Sequence, residues 1–163
     1  MQITNFIVNG LLILGFAIGV RQTLRVGKGA TWGPILLAVV GGGLIVAGIF
    51  VTDPALGYPP GPAFLTTVHG AIHFFIGAFS FFGGLPACCF VLARRWASDA
   101  QWKGWTTYSI VTGVLMVASF VAFVIVGVLD GPAGLIERIT ISIGLAWIVL
   151  LAIRLLNKNT SSR

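Results

Sequence analysis

The sequence predicts an all-α polytopic transmembrane bundle, and three observations carry that expectation. Hydrophobic residues make up 57% of the 163, charged residues only 9%, and mean hydropathy is +1.01. Soluble domains carry roughly 25% charged residues, so a chain this small and this apolar needs lipid as its solvent. The apolar residues fall in long runs at 3–20, 34–51, 63–93, 107–129 and 135–156. A helix crosses a ~30 Å hydrocarbon core in roughly 20 residues, so these runs predict about five spans in one transmembrane domain covering 1–163. They do not alternate as barrel strands must. Finally, nine of the ten basic residues fall on one side of the predicted bundle: Arg21, Arg25, Lys28, Arg94, Arg95, Lys103, Arg154, Lys158 and Arg163. Basic loops stay cytoplasmic, which places the C-terminus inside and the N-terminus outside.

The first run has no basic segment before it and no small-residue cleavage site after it, so it reads as a span and not as a signal peptide. Its Gly15 and Gly19 form a GxxxG pair, predicting a helix contact. An outside N-terminus at Met1 implies either that a short uncharged end translocates alone or that an upstream span is missing. The second run leads into Thr52-Asp53-Pro54-Ala55-Leu56-Gly57-Tyr58-Pro59-Pro60-Gly61-Pro62. Its prolines fix φ and its glycines permit turns, predicting a stiff outer loop, with Tyr58 as an interface anchor.

The third run carries Gly70, Gly77 and Gly84 at heptad spacing, with His73, Ser80 and Ala87 three positions after each and Val91 extending the glycine row. This is a seam of small and polar residues suited to close helix approach. Pro86 predicts a kink, because it cannot donate to the helix ladder. In the fourth run Ser109, Thr112 and Ser119 share a side, and such hydroxyls usually bond back to their own helix. Glu137 and Arg138 open the fifth run, where a glutamate in a first turn meets the positive end of the helix dipole. Trp32, Trp96, Trp102 and Trp105 flank spans on the basic side as an aromatic belt would, with Trp147 the exception.

The formal charge of +6 does not predict nucleic-acid binding, since the basic residues sit in short clusters between spans and form no patch interleaved with stacking aromatics. Cys88 and Cys89 are adjacent, cannot readily bridge, and read as small apolar residues. No Ser-His-Asp order, P-loop or dinucleotide-binding glycine pattern occurs.

Polar residues in spans are costly and mark candidate sites. Here they gather toward the outer side: Asn5, Asn9, Asp53, Tyr58, His69, His73, Asp130, Glu137 and Arg138 are the candidates for an outward-facing polar pocket. His69 and His73 lie at i and i+4, a spacing that lets two imidazoles hold one zinc ion with Asp53 or Asp130 as a third ligand. That HxxxH resembles a motif in membrane hydrolases of the alkaline ceramidase and adiponectin receptor type, but this chain has no third histidine. The competing reading is structural, with both imidazoles bonding neighbouring helices. Asp53 and His73 are expected to meet, as a ligand clamp or as a clasp tying loop to bundle. Arg138 is a candidate salt-bridge partner for Asp53 or Asp130.

Across nearly its whole length the chain resembles a family of uncharacterised prokaryotic membrane proteins, domain of unknown function 998. The residues that carry the likeness are Gly48-Ile49-Phe50-Val51-Thr52-Asp53-Pro54, Gly57-Tyr58-Pro59-Pro60-Gly61, Thr67, Gly70 and His73. They continue through Leu92-Ala93-Arg94-Arg95, Trp105, Tyr108-Ser109, Thr112-Gly113, Gly134-Leu135, Glu137-Arg138, Gly144 and Trp147. Such proteins usually have six spans, and this chain resembles the last five. The resemblance implies a prokaryotic plasma membrane and brings no catalytic residues.

The sequence therefore points to a binding, sensing or assembly module without a cofactor, with the bilayer and a lipid or small-molecule ligand as its partners. A zinc-dependent membrane hydrolase using His69 and His73 is the first alternative, and a small transporter the second.

Overall fold

The architecture is taken from a computed structural model, which describes residues 2–54 and 67–160. Tyr58, with the rest of 55–66, lies outside the described residues. Among the described residues all regular structure is helical: α1 (Gln2–Thr23), α2 (Trp32–Ile49), α3 (Val68–Gly77), α4 (Leu85–Trp96), α5 (Lys103–Val128) and α6 (Ala133–Thr160). A π-helical segment, Ala78–Gly84, joins α3 to α4, and a short 3-10 turn, Ala100–Trp102, precedes α5. Five helical stretches are long and apolar enough to span a membrane: Gln2–Thr23, Trp32–Ile49, Val68–Trp96, Ala100–Val128 and Ala133–Lys158. Large apolar side chains such as Leu12, Phe79 and Val124 face outward, as lipid-facing positions do.

Charge divides the bundle into two ends. Arg21, Arg94, Arg95 and Lys158 occupy the last turns of α1, α4 and α6, where cations complement the negative end of each helix dipole. Asp53, Asp130 and Glu137 lie at the opposite ends of their helices, so there is a basic end and an acidic end. Lys158 and Asp99, 4.0 Å apart, are the one ion pair among the described residues.

The α1–α2 crossing runs through glycines. A Cβ on Gly10 would lie 2.6 Å from the Gly41 carbonyl oxygen, one on Gly41 would lie 2.8 Å from that of Gly10, and one on Gly48 would meet Phe6 at 2.9 Å. The GxxxG pair does not take this role, because nothing lies within 4 Å of a Cβ at Gly15 or Gly19. That motif faces away, and the packing row of α1 falls on Gly10 and Leu14.

The third span departs from its predicted seam in an informative way. Gly70 meets Asp53, and a Cβ on Gly43 of α2 would overlap the Ser80 side chain, but Gly77 faces open space. From the end of the π segment onward, the contacts with α2 fall on Gly84, Cys88 and Leu92: Gly84 is near Val40, Cys88 Sγ–H donates to the Gly33 carbonyl, and Leu92 packs on Gly33. The predicted continuation, Ala87 and Val91, is displaced by one residue. A π-turn holds one more residue than an α-turn, so it advances the contact row by one. The segment also brings the chain to Pro86, in the first turn of α4, where a missing N–H is tolerated.

On the other side of the third span, α5 and α6 pack through buried groups. A Cβ on Gly144 would meet Leu85 and Met116, and Gly113 accommodates the Phe90 ring. Trp147 is fully buried, and its Nε1–H donates to Ser109 Oγ at 2.9 Å. Trp147 is therefore a core residue and not part of a belt. Ser119 bonds back to the Leu115 carbonyl as expected, whereas Ser109 bonds across helices.

Candidate functional site

At the acidic end, α2 runs out at Ile49 and α3 begins at Val68, leaving orphan carbonyls on one helix and orphan N–H groups on the other. Such groups are costly near lipid, and side chains satisfy part of each set. The buried Asp53 carboxylate accepts the Thr67 N–H at 2.9 Å through Oδ2 and the Thr67 hydroxyl at 2.6 Å through Oδ1. Thr67 Oγ1 in turn accepts the Gly70 N–H at 3.0 Å, capping α3. The negative carboxylate thus sits at the positive end of a helix dipole. A Cβ on Gly70 would occupy the place of that carboxylate, so glycine is needed there for close approach.

His73 closes the other helix. Its Nδ1 lies 2.8 Å from the Ala47 carbonyl oxygen and 3.0 Å from that of Phe50. Two acceptors require Nδ1 to carry the proton and donate, so the neutral ring keeps Nε2 as an open acceptor. The Phe6 ring meets the imidazole edge-on at 5.7 Å. Asp53 and His73 therefore do not meet as a hydrogen-bonded pair. Each ties off a different helix end, and together they form a clasp between α2 and α3.

The other candidates divide. Asn9 donates to the Asn5 carbonyl and side-chain oxygens at 2.9 and 2.8 Å, so the pair is engaged within α1. Asp130 is exposed, with φ +55°, and caps α5 in the left-handed conformation that aspartate tolerates. The Gly131 N–H closes that cap on the Val126 carbonyl at 2.8 Å. Arg138 forms no ion pair with Asp53 or Asp130 among the described residues. His69 is exposed, with its ring 5.2 Å from that of Phe50.

Glu137 differs from its predicted setting. Helix α6 starts at Ala133, so Glu137 lies beyond the first turn, where the dipole falls off. It is half-buried and has no hydrogen bond among the described residues, yet it interacts electrostatically with His73 and Arg138. Glu137 thus acts both on His73, whose Nε2 makes no hydrogen bond among the described residues, and on Arg138. No group of three His, Cys, Asp or Glu side chains gathers as a metal-binding set among the described residues, and His69, His73 and Asp53 are held on separate partners.

The family described as protein of unknown function DUF998 matches residues 1–154. The chain belongs to that family. Within this DUF998 chain the residues of the sequence resemblance acquire structural roles: Asp53, Thr67, Gly70 and His73 build the clasp, and Trp147 and Ser109 tie α5 to α6. No curated protein and no solved structure matches the chain.

Sequence reasoning missed the basic end. A cavity of about 550 Å³ opens there, lined among others by Lys28, Arg95, Trp96, Asp99, Trp102 and Lys158. Those residues read as orientation charges and belt tryptophans. The available signal was three tryptophans, Trp96, Trp102 and Trp105, within ten residues of a basic loop. Trp96 and Trp102 are buried and stacked, with ring centres 5.0 Å apart, which a belt does not require.

Proposed function

We propose that this protein is a non-catalytic binding module of the prokaryotic plasma membrane, with its acidic end outward and a small polar ligand or lipid headgroup held between His73 and Glu137. The half-buried Glu137 carboxylate, without a hydrogen bond and acting on His73, carries this reading. The clasp fixes the His73 ring through Nδ1 and turns Nε2 away from the helix ends as an acceptor. A carboxylate and an imidazole acceptor suit a ligand that brings N–H or O–H donors. Hydrolase chemistry at His69 and His73 has less support, since no group of three His, Cys, Asp or Glu side chains gathers among the described residues.

The test is native mass spectrometry of the detergent-purified chain and of Glu137→Gln. The wild type should retain a small molecule that the variant loses, with both folded. Stoichiometric zinc bound by the wild type and lost from His69→Ala would favour the hydrolase and contradict this reading. Orientation has its own check. A cysteine introduced at Leu56 should be labelled from outside intact cells and one at Ser98 should not; the reverse pattern would turn the site inward.

A further inference from the structure

We propose that the cavity at the basic end binds a phosphate-bearing anion, presented by an anionic phospholipid headgroup or by a soluble phosphate compound. The cavity's volume, about 550 Å³, falls in the range of small-ligand sites. It is assembled from four separate parts of the chain: the α1–α2 loop, the end of α4, the 3-10 turn and the end of α6. Three cations, Lys28, Arg95 and Lys158, face one carboxylate, Asp99. The Lys158–Asp99 contact, at 4.0 Å and nearly half exposed on both sides, is a weak surface pair, so the cavity keeps its positive potential.

The donors there are largely unengaged. Arg95 Nη1 donates to the Val26 and Lys28 carbonyls at 2.7 and 3.1 Å. This fixes the guanidinium at the wall and leaves its other edge without a hydrogen bond among the described residues. Lys28 is exposed and makes no side-chain hydrogen bond there. Trp96, 3% exposed, carries an indole N–H that is buried without an acceptor among the described residues. A buried donor without a partner is destabilising, and no acceptor for it stands among the described residues. Gly27, with φ +95°, turns the loop over the cavity, and a Cβ there would press on Arg95 at 3.3 Å.

Rigidity comes from the tryptophans. The Trp102 ring stacks on Trp96 and lies 5.4 Å from the Arg154 guanidinium carbon and 5.2 Å from Lys158 Nζ, both within cation–π reach. The cations are thus held near the cavity and not left to sweep through solvent. Basic recesses where helices leave the membrane suit phosphate headgroups on general electrostatic grounds.

The experiment is thermal unfolding of the full chain in nonionic detergent, with added phosphatidylglycerol, phosphatidylcholine or inorganic phosphate at matched ionic strength. Phosphatidylglycerol should raise the midpoint and phosphatidylcholine should not. Lys28→Gln with Lys158→Gln should weaken the apparent affinity on the order of fivefold for each lysine removed. Lys103→Gln, at the same end but outside the cavity lining, should leave it unchanged. A shift with inorganic phosphate as large as that with phosphatidylglycerol supports the site and assigns it to soluble phosphates. Equal shifts with both lipids, no shift with any anion, or an equal loss in Lys103→Gln would overturn the proposal.

Discussion

The two ends of this bundle use polar residues in opposite ways. At the acidic end the side chains of the α2–α3 junction are committed to the backbone: Asp53 holds the start of α3 and His73 holds the end of α2, while Asn9 of α1 bonds Asn5. At the basic end a lysine ammonium, one edge of a guanidinium and an indole N–H remain unengaged around an open cavity. A polar residue near lipid is thus not by itself a site. What separates the two uses is whether its donors and acceptors already have partners. Glu137 is the half-buried acidic-end carboxylate without a hydrogen bond among the described residues, which is why the proposed ligand contact rests on it and not on Asp53.

Substitutions sharpen the contrast. Gly70→Ala should have the largest effect, because the new methyl group displaces the Asp53 carboxylate and breaks its bonds to Thr67. A loss of about 3–4 kcal/mol in detergent unfolding is expected. Gly43→Ala, which forces Ser80 away from α2 at mid-membrane, should cost about 2 kcal/mol, with partial recovery in a Ser80→Gly background. At the basic end Arg95→Gln removes two exposed charge-assisted bonds to loop carbonyls. It should cost about 1 kcal/mol of stability and, beyond that, reduce any anion-induced shift. Gly77→Leu should change stability by less than about 0.5 kcal/mol, since a Cβ there meets nothing within 4 Å. A destabilisation as large as that of Gly43→Ala would return Gly77 to the helix interface.

Composition and charge made the spans and the two ends legible, because lipid imposes length and apolarity directly on the sequence. The positions of Asp53, Gly70 and His73 near a helix junction were also legible, though not their partners. Backbone ends left by α2 and α3 outcompeted the expected carboxylate–imidazole pair. The seam of the third span was legible at Gly70, Ser80 and Gly84, but not at Gly77 or beyond Gly84. Heptad spacing assumes a uniform helix, and the π segment moves the row from Ala87 and Val91 to Cys88 and Leu92. The two aspartates that follow α2 and α5 also have different outcomes. Asp53 is buried in a clasp, while Asp130 is an exposed αL cap. The cavity was not legible, since it requires four distant segments to converge.

The most direct measurement is thermal unfolding of Asp53→Asn and of the Lys28→Gln, Lys158→Gln double variant, each with and without phosphatidylglycerol. The account predicts that Asp53→Asn loses about 2 kcal/mol without any ligand, through its weakened bonds to Thr67, and still responds to the lipid. The double variant should lose less than about 1 kcal/mol without ligand, from the weak Lys158 contacts, and lose the lipid response. A wild-type midpoint for Asp53→Asn, or a double variant that loses more than this without ligand and still responds to the lipid, would contradict the division between an end that holds the fold and an end that binds.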